Sequence, residues 1–272
     1  MKRLNDIKVI IFDMDGTLYQ DYTFLGRYIQ YLLEGSLTEQ EIDLKIEESY
    51  LILEGKHTVR LGYFMDKESF VVHAHENFLP VKTYYWNGIE KSSQNVVMDT
   101  LFFIGDPWGI ANIYAEQYGV NQEIRSTAFE KVRNEMIQKP TEIYRHSPLF
   151  DQIGKLEVEK KILMTNTPGV TGPAFVKHLQ MDELFDEYVY DAKKPLGMEM
   201  AVKELIENGY KPNEILSIGD NPYNDLFPVK KLGGRTCLIS QYEHHGTNEW
   251  DFSVETIEEL AHLLSNKTAI YI

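Results

Sequence analysis

Four short apolar runs along the chain share one pattern, each ending abruptly in residues that carry chemistry. Val9-Ile10-Ile11-Phe12 stops at Asp13, and Ile162-Leu163-Met164 stops at Thr165. Tyr188-Val189-Tyr190 precedes Asp191 and Lys194, and Ile215-Leu216-Ser217-Ile218 stops at Gly219-Asp220. Runs this short and this rich in β-branched residues predict strands buried on both faces of a parallel sheet. Each gives way to polar residues and then to a helical pattern, and a fifth run, Thr236-Cys237-Leu238-Ile239, looks alike. Strands alternating with helices predict a doubly wound α/β sheet, whose ligands lie outside the carboxyl ends of the strands.

The interval from Asp13 to Thr165 is far too long for one crossover helix, so it holds an insert. Much of it reads as helix. Thr38-Glu39-Gln40-Glu41 is a capping box, followed by Ile42, Ile46, Tyr50 and Leu53 at helical spacing, with Gly55 to end the helix. Asp106-Pro107 is an N-cap with proline at the first helical position, and Gly119 can close that helix. Phe129 to Ile137 reads as another helix, stopped before Pro140. The span from Phe70 to Phe103, rich in Val, Tyr and Phe, fits no single element. The expected organisation is a sheet domain of residues 1–20 and 148–272, with a mainly helical domain, 21–147, inserted into it; the chain returns to the sheet near Ser147-Pro148.

Composition narrows the function classes. The 272 residues are 43% hydrophobic and 12% aromatic, as in ordinary globular proteins. There are 42 acidic and 27 basic residues, a formal charge of −15. Phosphate backbones and anionic membranes must be met by clustered Lys and Arg, so no nucleic-acid and no membrane partner is expected. No apolar run is long enough to span a bilayer. Met1 to Asp6 carries charge with no apolar stretch of signal-peptide length behind it. The single cysteine, Cys237, excludes an intramolecular disulfide and a multi-cysteine zinc site. The expected location is the reducing cytoplasm, where the Asn266-Lys267-Thr268 sequon has no meaning. The pattern specifies no oligomeric state.

The candidate chemistry lies at the strand ends. In Asp13-Met14-Asp15-Gly16-Thr17, two carboxylates two residues apart can reach one point if the backbone turns, and Gly16 permits the turn. One can attack while the other handles a proton. A calcium loop begins similarly, but where that loop needs a glutamate at its twelfth position this chain has Phe24. Asp220-Asn221-Pro222-Tyr223-Asn224-Asp225 offers hard oxygen ligands suited to Mg²⁺, or equally a turn built for its backbone geometry. Thr165-Asn166-Thr167 offers a hydroxyl and backbone N–H groups. Lys193-Lys194-Pro195 offers a cation just before a helix starting near Leu196.

In combination, DMDGTLY, a threonine at a strand end, Lys-Pro and then GDNPYND, in that order, resemble the four motifs of the haloacid dehalogenase superfamily. The helical insert after the first motif resembles the C1 type of cap, as in phosphoglycolate phosphatase and β-phosphoglucomutase relatives. The resemblance implies a three-layer Rossmann-like parallel sheet of order 3-2-1-4-5. It also implies a Mg²⁺-dependent phosphohydrolase acting on a small phosphorylated metabolite, a sugar phosphate or a nucleotide. By that resemblance Asp13 is the nucleophile that forms an aspartyl-phosphate, and Asp15 is the acid and base. Thr165, the N–H of Asn166 and Lys194 hold the phosphoryl group, with Lys194 preferred over Lys193 because it directly precedes proline. Asp13, the backbone carbonyl of Asp15, Asp220 and Asp225 hold the metal. A phosphomutase would use the same aspartates, and a non-catalytic binding protein could share the fold.

Leu101-Phe102-Phe103-Ile104-Gly105-Asp106-Pro107 imitates the fourth motif, but it precedes the Thr165 motif and lacks a second acid, so Asp106 reads as a helix cap. Tyr19, Asp21 and Tyr22 are placed to face the cleft. Tyr19 stands where many relatives carry a small or acidic residue. Tyr84-Tyr85-Trp86 and Trp108 can stack on a substrate but more often pack a core. His73 and His75 share a face if extended, and Lys82, Lys91 and Arg125 read as solvated cations. His244-His245 carries no expected role.

Overall fold

The computed structural model describes residues 6–92, 96–246 and 249–265. The start of the amino-terminal stretch, Met1 to Asn5, and the Asn266-Lys267-Thr268 triplet lie outside them. The described residues divide into two compact units: 6–21, 137–241 and 249–265 form one, and 22–92, 96–136 and 242–246 form the other. The chain opens with β1 (Val9–Phe12), buried along its whole length, and then enters the second unit.

There α1 (Phe24–Leu33) is followed by α2 (Glu39–Leu53). The capping box forms: Glu41 N–H donates to Thr38 Oγ1 at 3.4 Å, and Thr38 N–H donates to Glu41 Oε2 at 2.9 Å. Next come β2 (Phe64–Asp66), β3 (Val72–Glu76), β4 (Leu79–Tyr84), β5 (Glu90–Lys91) and β6 (Leu101–Phe103). They make an antiparallel sheet of order β5-β4-β3-β2-β6, and all its strands but β2 lie in the span from Phe70 to Phe103 that fitted no single element in the sequence. Its polarity is reversed from the usual pattern. His73 and His75 are buried, while Leu79 and Val81 are exposed. The unit closes with α3 (Pro107–Gln117) and α4 (Gln122–Glu135). Asp106 Oδ1 caps α3, accepting from Gly109 N–H at 2.7 Å. Asn121 caps α4, so that helix starts well before Phe129, through a polar turn that carries no apolar periodicity. Trp108 packs the helices, stacked on Phe24 at 4.0 Å and tilted on Phe129 at 5.1 Å.

Residues 242–246 complete this unit from far along the chain. His245 N–H donates to the carbonyl of Leu61 at 2.8 Å, and His244 Nε2–H donates to the carbonyl of Gly105 at 2.9 Å. Gly62, at φ +93°, is in the left-handed region, and a Cβ there would fall 2.3 Å from the His245 carbonyl oxygen.

The first unit resumes with α5 (Ser147–Gly154), β7 (Lys160–Met164), α6 (Gly172–His178), β8 (Glu187–Val189), α7 (Leu196–Glu207) and β9 (Ile215–Gly219). It ends with α8 (Phe227–Lys231), β10 (Arg235–Ile239), β11 (Phe252–Val254) and α9 (Ile257–Ser265). Among the described residues its sheet is wholly parallel, with order β8-β7-β1-β9-β10-β11. Counted by appearance in this sheet the order is 3-2-1-4-5, with a further strand added beyond the fifth. Val9 and Ile11 pack with Ile162, Met164 and Ile215, and with Met198, Val202 and Leu205 at helical spacing on α7. Each such side chain contributes about 1.5–3 kcal/mol by leaving water. On alternate positions Phe12 meets the edge of Phe185 at 5.6 Å. Among the described residues no helix is long and apolar enough to cross a membrane.

Register positions the site. Phe12 lies opposite Leu163 on one side and Ile218 on the other. The residues that follow, Asp13, Met164-Thr165 and Gly219-Asp220, therefore leave the sheet at one level, at the carboxyl ends of its central strands.

Candidate active site

The first site residue is placed by the sheet itself: Asp13 N–H donates to the carbonyl of Ile218 at 2.9 Å, extending the β1–β9 ladder by one step. The chain then turns sharply, with Thr17 N–H and Leu18 N–H both donating to the carbonyl of Met14 at 3.4 and 3.0 Å. Gly16 makes the turn at φ +75°, and a Cβ there would fall 2.0 Å from Asp220 Oδ2. Only a glycine lets the turn after β1 approach that carboxylate so closely.

Lys194 reaches into this point from the turn before α7. Its Nζ lies 2.6 Å from Asp13 Oδ1 and 2.5 Å from Asp225 Oδ1, and all three side chains are buried. Asn166 holds the approach, its Oδ1 accepting from Lys194 N–H at 2.8 Å. Asp13 Oδ2 accepts from the Thr17 hydroxyl at 3.1 Å. Asp225 sits in the single π-helical turn Pro222–Leu226, a form that recurs at functional sites. Its Oδ2 accepts from Asn221 N–H at 3.0 Å, and its backbone carbonyl accepts from the Ser217 hydroxyl at 2.8 Å.

Asp15 is half-buried beside this group. The Tyr19 hydroxyl donates to its Oδ1. The Thr167 hydroxyl donates to its Oδ2 at 2.8 Å, and the Thr165 hydroxyl reaches the same oxygen at 3.5 Å.

Burial raises the Asp13 carboxyl, to about 7; Asp225 and Asp15 add to the rise while Lys194 opposes it. Burial works against the Lys194 ammonium, but Asp13 and Asp225 together hold its pKa above the ordinary lysine value. The cation is thus secure, and the carboxylate facing it is the group under strain.

Asp13, Asp220 and Asp225 offer one oxygen each within 4.8 Å of one another, the only such group of His, Cys, Asp or Glu among the described residues. Three carboxylates against one ammonium leave an excess of negative charge, which a divalent cation offsets. The donors are all oxygen, the set that suits a hard ion such as Mg²⁺. The residues present therefore fit such an ion.

The four motif segments are thus brought to one point. Thr17, Tyr19, Thr167, Ser217 and Asn221 join them as hydrogen-bonding partners; the sequence placed Tyr19 facing the cleft and set Thr167 and Asn221 within the motif segments, but gave none of them a partner. A hydroxyl four residues after each acid of Asp13-Met14-Asp15 was the signal available for the first two. The aromatic, histidine and cation candidates of the insert lie in the second unit. Trp108 packs the helices, and Trp86 donates its indole N–H to Glu48 at 2.9 Å. Arg125 is bound to Glu116 at 2.8 Å. His73 and His75 are buried within the antiparallel sheet.

Solved structures of similar fold include a predicted phosphoglycolate phosphatase from Haemophilus somnus, at TM-score 0.56 and 16% identity, covering 95% of this chain and 98% of that one. A candidate phosphatase from Clostridium difficile has TM-score 0.53 and 14% identity, with the same coverages. The candidate HAD-hydrolase YfnB from Bacillus subtilis, bound to magnesium, has TM-score 0.53 and 15% identity, again covering 95% and 98%. At these identities the likeness shows the fold alone. No curated protein matches the chain. The family model described as haloacid dehalogenase-like hydrolase matches residues 7–233, a span that takes in β1, the inserted stretch 22–136 and every strand end carrying a site residue, and the chain belongs to that family.

Proposed function

We propose that this hydrolase is a Mg²⁺-dependent phosphatase of a small phosphorylated metabolite, working through an aspartyl-phosphate on Asp13. The first unit is then the catalytic domain and the second its cap. The observation that carries the reading is the buried Lys194 ammonium between Asp13 and Asp225, with Asp220 converging on the same point and Asp15 hydrogen-bonded beside it. Membership of a hydrolase family and the phosphatases of like fold support it.

In the first half-reaction a carboxylate oxygen of Asp13 attacks phosphorus as the bond to the leaving oxygen breaks. That oxygen takes the electron pair and the proton of Asp15, and leaves as an alcohol. In the second, water attacks the same phosphorus and gives its proton back to Asp15. The bond to Asp13 breaks, and inorganic phosphate leaves with both aspartates restored. Lys194 offsets charge on Asp13 and on the phosphoryl group. The Thr165 hydroxyl and the N–H of Asn166 bind phosphoryl oxygens. Asp13, the backbone carbonyl of Asp15 and Asp220 would hold Mg²⁺, with Asp225 completing the set. When bound, the ion neutralises phosphoryl charge and orients the group for in-line attack. The same proposal places the enzyme in the cytoplasm, in keeping with a lone, buried Cys237.

The test is phosphate release from a panel of phosphorylated metabolites with Mg²⁺, with EDTA, and with Asp13→Asn. Turnover that needs both the ion and Asp13 is expected. Turnover retained by Asp13→Asn removes the nucleophile. Isomerisation of a bisphosphorylated sugar without phosphate release replaces the phosphatase by a mutase.

A further inference from the structure

We propose that Tyr19 is a positioning residue that holds Asp15 for proton delivery to basic leaving groups. The proposal rests on the phosphatase reading above, in which Asp15 carries the proton. The turn after β1 sets up two matched pairs: the Thr17 hydroxyl bonds Asp13 and the Tyr19 hydroxyl bonds Asp15, each four residues further along. The backbone of Tyr19 is also bridged to that of Asp15. Tyr19 is only 3% exposed, and its ring lies 6.1 Å from that of Phe175 on α6. Its hydroxyl is therefore delivered by a ring with little freedom.

Thr167 takes the other oxygen of Asp15 from a different strand end. Two donors, one from the β1 turn and one from the β7 turn, fix the plane of the carboxyl group. A carboxylate oxygen has two acceptor directions. Fixing the plane aims those directions. General acid catalysis needs heavy-atom separations of about 2.6–3.2 Å, which a freely turning carboxyl meets only part of the time.

Proton delivery matters in proportion to the basicity of the leaving oxygen. As the bond from Asp13 to phosphorus forms and the bond to the leaving group breaks, the electron pair collects on that oxygen. Phenoxide needs the Asp15 proton, whereas p-nitrophenoxide spreads the charge into its ring and needs it little.

The experiment compares kcat/KM for phenyl phosphate and p-nitrophenyl phosphate, with Mg²⁺, in wild type, Tyr19→Phe, Asp15→Asn and the double variant. Tyr19→Phe is expected to lose about tenfold on phenyl phosphate and less than about threefold on p-nitrophenyl phosphate. In the Asp15→Asn background the same change is expected to add nothing, because Tyr19 acts through Asp15. Thr167→Val removes the bond to the other oxygen and should reproduce the selective loss, which keeps the comparison open should Tyr19→Phe not fold. Equal losses on both substrates, a further loss on top of Asp15→Asn, or a gain on phenyl phosphate each overturn the role of Tyr19 alone. Wild-type turnover of neither substrate, or turnover indifferent to Asp13→Asn, overturns the phosphatase reading and this role with it.

Discussion

Lys194 and Asp225 form a buried ion pair at 2.5 Å, although one comes from the turn before α7 and the other from the turn after β9. The same ammonium also pairs with Asp13, so it stands between two buried acids. Lys194→Met leaves those acids facing each other. Breaking a buried pair costs about 3–5 kcal/mol, and losing a preorganised charge costs on the order of 10²–10³-fold in turnover. Urea melts and kinetics with a phosphate ester test both. Because magnesium can stand in for part of the missing charge, it should stabilise Lys194→Met more than it stabilises the wild type.

Magnesium should raise the wild-type melting temperature. At about a hundred times its Kd the ion adds roughly 2.7 kcal/mol, several degrees for a chain of this size. Asp220→Asn removes one of the three converging carboxylates, with its charge, and should abolish most of that rise. A full rise in this variant would place the ion elsewhere. The readout needs no substrate.

Gly16→Ala tests how closely the first and fourth motifs approach. The added Cβ would meet Asp220 Oδ2 at 2.0 Å on a backbone already at φ +75°. A strained backbone of this kind costs about 1–3 kcal/mol. Asp220 must also move away. The expected result is a folded protein with a lower melting point and a weakened response to magnesium. An unchanged response would mean that Asp220 does not depend on that close approach.

His75 makes stability depend on pH. It is 2% exposed among Phe64, Phe78 and Phe103, and burial, with a smaller contribution from His245, pushes its pKa from 6.5 down to about 4. Between those values the unfolded chain takes a proton that the folded chain refuses. Stability therefore falls as pH drops through that window, and the contribution is complete above about 6.5. His75→Gln should flatten denaturation midpoints measured between pH 6.5 and pH 4. Parallel curves for the two proteins would show that this ring does not titrate in that range.

The parallel sheet was legible because its strands are buried on both faces. Val9–Phe12 and Ile215–Gly219, apolar but for Ser217, are buried throughout and end where the chemistry starts, so strand and site announce each other. The antiparallel sheet was not legible. Its strands are short, β5 is only Glu90–Lys91, and β3 and β4 bury His73 and His75 while exposing Leu79 and Val81. An alternation argument reads such strands with the wrong face inward. The start of α4 was hidden for a related reason, since its first turns are polar and Asn121 alone marks the cap. At the site, the residue types that bear charge stood out. The hydroxyls that orient them did not, because Thr17, Tyr19 and Thr167 acquire partners only when the turns after β1 and β7 are folded.

The dependence of the second unit on residues 242–246 has a consequence for how the protein is made. Most of that unit is translated early, yet the carbonyls of Leu61 and Gly105 find their partners, His245 and His244, only after the strands of the other unit have been synthesised as far as β10. On the ribosome, therefore, the second unit cannot be finished before most of the parallel sheet has emerged. Cutting out residues 22–136 as an independent module would produce a piece that lacks its own closing segment.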